Sequence, residues 1–334
     1  MDGIEIIYIL LLPAAIFLIS QGADWMTDGA VVLSKKWKIT RTALGTVFVA
    51  FFTGMPELII CILAIYYGRE GIVLGNILGA NIVGIALMVG ACSMIRSLKT
   101  PRRVIIRDGV FLLAATLAAC ATMIDGTITR TEGMILLAMY VPYVINLYEM
   151  ERVEQKYEHE EETRVLDAQL ELLGKLFGKD VKIKNPALAF ALGAAMLVVS
   201  GELLLRGALS LAALTGMPEI FIGLTIVAIG TSAPDIVAAV NATRKGYDDL
   251  AVSEAVGANL FGTMVILGTV AMIAPGGVDA GAGGDILIVS IGALLVITAA
   301  LLAAMIRGRR IDRKEGAALI AIYVAYLAVS AMFL

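Results

Sequence analysis

The chain has 334 residues, of which 59% are hydrophobic and only 16% charged, against roughly 25% charged in a soluble globular chain. Mean hydropathy is +0.89, which excludes an ordinary soluble domain and indicates an all-α, polytopic membrane protein. The net charge of -3 argues against a nucleic-acid partner.

A helix needs about 20 mostly apolar residues to cross the hydrocarbon of a bilayer. In chain order the sequence predicts ten such spans: 3–33, 41–67, 71–95, 104–123, 131–149, 187–213, 219–242, 250–274, 284–306 and 314–333. The first opens on MDGIEIIYILLLPAAIFLIS, with acids where a cleaved signal peptide carries positive charge. It therefore reads as a retained span, long enough to tilt. Cys61, Cys92 and Cys120 lie singly in the second, third and fourth spans and read as small buried hydrophobes.

Between the fifth and sixth spans lies the only long polar stretch, 150–186. Leu166, Leu170, Leu173 and Phe177 fall there at helical spacing, which predicts an amphipathic helix on the membrane surface. The acidic run Glu158, Glu160, Glu161 and Glu162 reads as a solvated connector, with a regulatory cation site as the alternative. His159, the only histidine, reads as solvated.

Lysine and arginine set the orientation. With the N-terminus outside, the five cytoplasmic loops hold 23 of the 26 basic residues. The outside loops hold only Arg69 and Arg130, and Arg206 lies within a span. The expectation is a cell-membrane protein with both termini outside.

The chain also repeats itself. Residues 45–84 align with 223–262 at a constant offset of 178, without gaps, and eleven of the forty positions are identical. Glu57 pairs with Asp235. GANIVG at 79–84 pairs with GANLFG at 257–262. The motifs begin on the second and seventh spans, an odd number apart, so the copies have opposite orientations. The expected architecture is two inverted five-helix repeats, 1–149 and 187–334, joined by the cytoplasmic loop 150–186. This is a common transporter design.

FTGMPEL and GTSAPDI, at matched places in the repeat, put polar groups inside apolar spans. Pro56 and Pro234 lack an N–H and crowd the preceding turn, so both spans are expected to bend or break there. A break frees backbone carbonyls near Ala50 and Ala228. Thr53, Thr231 and Ser232 add hydroxyls, and Glu57 and Asp235 add negative charge. Oxygen-only ligands around two carboxylates suit a hard cation such as Ca²⁺ or Na⁺. A lone charge at mid-membrane costs roughly 2.5–3.5 kcal/mol on insertion scales, so two at matched positions point to function. Gly75, Gly79, Gly84, Gly257 and Gly262 permit close helix approach in the third and eighth spans.

At these residues the chain resembles the sodium/calcium exchanger family of the cation/Ca²⁺ antiporter superfamily. GTSAPD at 230–235 and GNILGAN at 75–81 are similar to the family's paired motifs; FTGMPE at 52–57 and SEAVGAN at 253–259 are looser. The resemblance covers the whole chain. It implies that cations bind mid-membrane between the repeats while the first and sixth spans slide across the rest. It implies Glu57 and Asp235 as central ligands, completed by Thr53, Thr231, Ser232 and the carbonyls of Ala50 and Ala228, with Asn76 flanking.

The departures from the family pattern are specific. Gly54, Ala80 and Ala258 stand where the family has serine, and Gly84 and Gly262 where it often has Asn or Asp. The second acid is Asp235 rather than Glu. Glu254 stands where Asn is usual, and its repeat partner is Asn76. Fewer neutral ligands would weaken sites for accompanying Na⁺. Glu254 would serve as a proton carrier, because burial makes a carboxylate easier to protonate, or else pair with a basic group. Asp24, Asp28, Glu202 and Arg206 lie on the first and sixth spans. They read as an Asp28–Arg206 pair or as charges reaching toward the helix ends, with a lateral ion pathway as the alternative.

The expected function is a secondary antiporter exchanging Ca²⁺, or another divalent cation such as Mg²⁺ or Mn²⁺, for Na⁺. Exchange against H⁺ is the nearby alternative. An intramembrane protease, a channel and a non-transporting sensor fit less well. The sequence shows no nucleophile–base constellation and no GxxxxGK[ST] phosphate loop, so no cofactor or ATP drive is expected. Each chain holds both motifs, which predicts a monomer whose partners are inorganic cations and lipid.

Overall fold

The computed structural model describes residues 3–36, 49–100, 102–154, 185–246 and 250–334. Twelve helices carry the fold: α1 (Gly3–Leu10), α2 (Leu12–Lys36), α3 (Val49–Thr53), α4 (Met55–Tyr66), α5 (Glu70–Ile95), α6 (Val104–Ala121), α7 (Arg130–Glu154), α8 (Pro186–Thr215), α9 (Glu219–Arg244), α10 (Ala251–Ile273), α11 (Gly284–Gly308) and α12 (Arg313–Ser330). Helix occupies part of each of the ten expected stretches. Among the described residues seven helices are long and apolar enough to cross a membrane, or eight if the bent pair α1–α2 counts as one. The second span is represented by the short apolar α4. The fifth, α7, mixes Tyr140, Pro142, Tyr143 and Asn146 into its apolar run. It also continues to Glu154, so the first residues assigned to the central loop are helical. The amphipathic segment, the acidic run and His159 lie outside the described residues.

The first span does not simply tilt. It bends by 51° between α1 and α2, where Pro13 removes an N–H and crowds the turn before it. The expected breaks at Pro56 and Pro234 divide. In the first copy the helix breaks at Gly54, which sits at φ -81°, ψ 0°, and Pro56 lies in the first turn of α4, where its missing N–H is harmless. In the second copy no break occurs: Pro234 lies inside the continuous helix Ala228–Arg244. The irregularity there is a π-helical turn, Gly223–Val227, upstream of the motif. Loosening the upstream turn lets the helix continue past a proline that offers no N–H to the Gly230 carbonyl.

Helix α5 is the centre of the fold, with 83% of its apolar span buried, against 28% for the peripheral α12. Bulky apolar side chains such as Ile4, Phe17, Val110 and Ile288 stay exposed around the periphery, as lipid contact requires. Helices α2 and α8 pack in antiparallel contact on one flank. A Cβ on Gly193 would lie 2.4 Å from the Met26 nitrogen, and one on Gly29 would lie 2.6 Å from the Phe190 nitrogen. Only glycine permits this approach.

Contacts recur in pairs, one in each half, and Gly90 and Gly268 stand at the 178-residue offset. π-Helical turns occur at Gly84–Val89 in α5 and at Phe261–Ile266 in α10. Gly90 meets Gly316 of α12, and Gly268 meets Gly133 of α7. Two short antiparallel ladders add to the pattern. Strand β1 (Leu98–Lys99) pairs with β4 (Arg310–Ile311), and β2 (Thr127–Ile128) pairs with β3 (Val278–Asp279). The ladders mark two ends of the bundle. At one end the basic linkers meet: Arg313 donates to the Ile95 carbonyl, and Gly246 lies against Arg96. At the other, Arg69 pairs with Glu219 at 2.9 Å and Glu70 accepts from the Asp279 backbone at 2.7 Å.

The expected Asp28–Arg206 pair falls on an Asp28 side chain that lies outside the described residues. Arg206 forms an ion pair with Glu202 at 2.6 Å, one helical turn away, and stacks on the rings of Tyr8 and Tyr67. Tyr67 also donates to Glu202 at 2.8 Å. Antiparallel packing puts Arg206 beside the junction of α1 and α2. Cys61, Cys92 and Cys120 are buried free thiols, as expected.

Candidate cation site

The break at Gly54 turns the start of α4 inward, and Glu57 in its first turn becomes buried. Continuous α9 carries Asp235 to the same place from the other half. Both carboxylates line one cavity of about 40 Å³ at the meeting of α4, α5, α9 and α10. Ser232, Asn81 and Asn259 supply its other polar side chains. A second, smaller cavity of about 10 Å³ adjoins it, lined by Asp24 and Thr27 of α2, by Thr53, and by Thr231 and Asp235 of α9. Asp235 lines both. It lies within electrostatic reach of Glu57, Glu254 and Asp24.

The hydroxyl of Thr231 is held from several sides. It lies 3.3 Å from Asn76 Oδ1 and 3.1 Å from the Ala228 carbonyl, and within hydrogen-bonding reach of Glu57. Asn76 in turn donates to the Cys61 sulfur at 3.3 Å. Asn76 is fully buried and lines neither cavity. It therefore orients Thr231 rather than flanking the cavity. The Ala228 carbonyl, expected to be freed by a break, already accepts the Thr231 hydroxyl. Ala50 lies in α3, one turn before Gly54. Glu254 also stands outside both linings, one turn before Ala258 of the larger cavity. Its side chain reaches toward Asp235 and Cys92, on the side of the basic linkers. Among the described residues it makes no ion pair.

Three buried polar atoms here lack a protein partner: Glu57 Oε2, Asn81 Nδ2 and Asn259 Nδ2. Asn81 and Asn259 are repeat-related, and each lies against the other copy's glycine. A Cβ on Gly262 would be 3.0 Å from Asn81 Oδ1, and one on Gly84 would be 3.8 Å from Asn259 Nδ2. The sequence motif GAN contained both asparagines, but only the crossing of α5 and α10 reveals that they face one chamber. Among the described residues no three Asp, Glu, His or Cys side chains converge tightly enough to hold a metal ion by themselves. A cation here needs hydroxyl, amide, carbonyl or water oxygens as well. Buried polar atoms without partners, beside two carboxylates, fit such a ligand.

The family description of sodium/calcium exchanger proteins matches residues 7–148 and 185–332, nearly the whole of both halves. The chain belongs to the sodium/calcium exchanger family. The exchanger is 31% identical over 311 residues to a putative antiporter, CaxA, of Alkalimonas amylolytica, covering 92% of this chain and 94% of that one. It is 27% identical over 356 residues to the sodium/calcium exchanger MaX1 of Methanosarcina acetivorans, covering 98% and 99%. Solved structures share the fold. The sodium-calcium exchanger NCX_Mj superposes with a TM-score of 0.63 at 20% identity, covering 98% of this chain and 99% of that chain. The H⁺/Ca²⁺ exchanger CAX superposes with a TM-score of 0.72 at 15% identity, covering 98% and 86%. The exchanger is thus a multi-pass helical membrane protein of an antiporter family.

Proposed function

We propose that the exchanger is a secondary active antiporter that moves Ca²⁺, or another divalent cation, across the cell membrane in exchange for Na⁺. The observation that carries this reading is the pair Glu57 and Asp235, brought from matched repeat positions to one buried cavity. Two carboxylates there are costly unless a cation or proton offsets their charge. Glu57 and Asp235 act as central ligands. Thr53, Thr231, Ser232 and the carbonyls of Ala50 and Ala228 add oxygens, Asn76 fixes Thr231, and Glu254 guards the approach from the basic end.

In this reading the ten helical stretches form two inverted five-helix repeats, with both termini outside and one complete site per monomer. The close antiparallel pair α2–α8 supports a mobile unit that slides past the site and exposes it to either side. Asp24 on α2 would then enter or leave the smaller cavity with each cycle.

Cation uptake by the purified protein in liposomes tests this, with outward Na⁺ and H⁺ gradients imposed separately. Na⁺-driven Ca²⁺ uptake, lost in the Glu57→Gln, Asp235→Asn double variant, is expected. No flux of Ca²⁺, Mg²⁺ or Mn²⁺ under either gradient would sink the reading.

H⁺ as counter-ion is the second reading. The unpartnered Glu57 Oε2 favours it, as does Glu254, a third carboxylate near Asp235 without an ion pair among the described residues. It predicts uptake that follows a proton gradient without Na⁺, and Glu254→Gln would then alter its pH dependence.

A further inference from the structure

The smaller cavity lies on the seam between α2 and the two motif copies. Thr53 and Pro56 of the first copy and Thr231 and Pro234 of the second line it at matched repeat positions. Helix α2 closes it with Asp24 and Thr27, and Asp235 completes its polar wall. The rest of the lining is alanine. Among the described residues neither an amide nor a basic side chain lines it. Two carboxylates and three hydroxyls remain, so its side chains offer oxygen alone.

The hydroxyls are set to bind a cation. Thr231 Oγ1 lies 3.3 Å from Asn76 Oδ1, 3.1 Å from the Ala228 carbonyl and within reach of the Glu57 carboxylate. All three neighbours are acceptors, so they take its proton and leave its oxygen lone pairs for a ligand. Thr27 is 3% exposed, and its hydroxyl makes no hydrogen bond among the described residues. A hydroxyl buried so deeply normally has a partner, and the space it lines is this cavity.

Size and charge narrow the ion. A water-sized sphere takes roughly 10–15 Å³, so a cavity of about 10 Å³ holds one bare ion and no hydration shell. Oxygen-only ligands suit a hard cation. Asp24 brings one negative charge beyond the Glu57–Asp235 pair that serves the larger cavity, which suits a monovalent ion.

We propose that the smaller cavity is a separate counter-ion site, which takes one dehydrated Na⁺ between Asp24 and Thr27 of α2 and Thr53, Thr231 and Asp235 of the motif helices. This inference rests on the antiport reading and adds to it the place of the second ion. Asp235 belongs to both linings, so cations in the two cavities draw on one carboxylate and repel each other across it. Na⁺ therefore weakens the divalent ion and the divalent ion weakens Na⁺, which is the reciprocal linkage that exchange needs. Because Asp24 and Thr27 ride on α2, the site is complete only while α2 stands against the motif helices.

The test uses the full-length protein, with Na⁺ and Ca²⁺ as probes and Thr27→Val, Thr27→Ser and Asp24→Asn as variants. Binding to the purified protein is read as thermal stabilisation across a concentration series of each ion. Uptake into liposomes is read alongside. Thr27→Val keeps the shape of the side chain and removes the hydroxyl, and Thr27→Ser keeps the hydroxyl. Thr27→Val is expected to weaken Na⁺ about tenfold and to raise equally the Na⁺ needed to displace Ca²⁺. Its Ca²⁺ affinity in Na⁺-free buffer is expected to change by less than about threefold. Thr27→Ser is expected to keep the wild-type Na⁺ affinity. Asp24→Asn is expected to weaken Na⁺ more than Ca²⁺.

Equal weakening of both ions in Thr27→Val would overturn the proposal, since a merely structural role moves both together. So would a wild type that Na⁺ neither stabilises nor strips of Ca²⁺. If Asp24→Asn does not fold, the two Thr27 variants decide the matter. Binding separates this inference from the transport reading. Selective loss of Na⁺ in Thr27→Val, with no flux in wild type, would keep the site and discard antiport. Na⁺-driven flux in wild type, with Na⁺ binding unchanged in Thr27→Val, would discard the site and keep antiport.

Discussion

The two copies of the carboxylate turn share their threonine and their proline, yet they reach the cavity by different backbones. The first breaks at Gly54 and restarts with Pro56 in its first turn. The second runs unbroken through Pro234 and yields instead at the π-turn Gly223–Val227. Four positions of the turn differ, Phe52, Gly54, Met55 and Glu57 against Gly230, Ser232, Ala233 and Asp235, and the break falls at Gly54 against Ser232. Glycine in a helix interior costs up to about 1 kcal/mol relative to alanine, and serine less. With the proline removing a hydrogen bond nearby, that difference falls where the helix is already weakest. A shared motif therefore brings both acids to one cavity, while the residues that differ around it set how each chain bends to put them there.

The largest expected effect tests whether the two acids are equivalent. Either Glu57→Gln or Asp235→Asn should lower cation uptake by about a hundredfold or more, since each removes a charged ligand. Asp235 lines both cavities and Glu57 only the larger, so Asp235→Asn should be the more damaging in liposome flux. Equal losses would make the smaller cavity irrelevant to transport.

The repeat partners Asn76 and Glu254 sharpen the contrast. Asn76→Ala removes one of the buried partners of Thr231 and the donor to Cys61, and should cost about 1 kcal/mol, seen as a lower Tm in detergent. Glu254→Gln should change ion selectivity or pH dependence with little change in Tm. If Glu254→Gln destabilises as much as Asn76→Ala, its role is structural.

Gly54→Ser makes the first turn resemble the second. Its helix should gain about 0.5 kcal/mol, raise Tm slightly and slow exchange, while Ser232→Gly in the other half should do the reverse for stability. An unchanged uptake rate in both would mean that the break plays no part in the cycle. The smallest effect is expected at Arg206. Its ion pair with Glu202 is part-exposed and worth little, so Arg206→Gln should leave Tm nearly unchanged.

Much of this site was legible in one dimension. The offset of 178 exposed Glu57 with Asp235 and Thr53 with Thr231, because a polar group in an apolar span stands out and its recurrence is countable. Asn81 and Asn259 were visible as part of GAN but had no assigned role, since asparagine in a glycine-rich helix also reads as packing. Asn76 was expected at the cavity and instead holds Thr231. Arg206 finds its partner one turn away in Glu202, a local pair that an offset between copies cannot reveal.

The sequence by itself determined the membrane class, the duplication, the two acids at matched positions and the gathering of basic residues in alternate linkers. These follow from composition and periodicity, which act locally along the chain. Only the tertiary structure decided which proline breaks its helix, which polar side chains share a cavity and which asparagines are left unpartnered. Those outcomes depend on how helices cross, and crossing is set by the summed packing of many small contacts, such as Gly193 on Met26 and Gly262 on Asn81, that no single stretch of sequence contains.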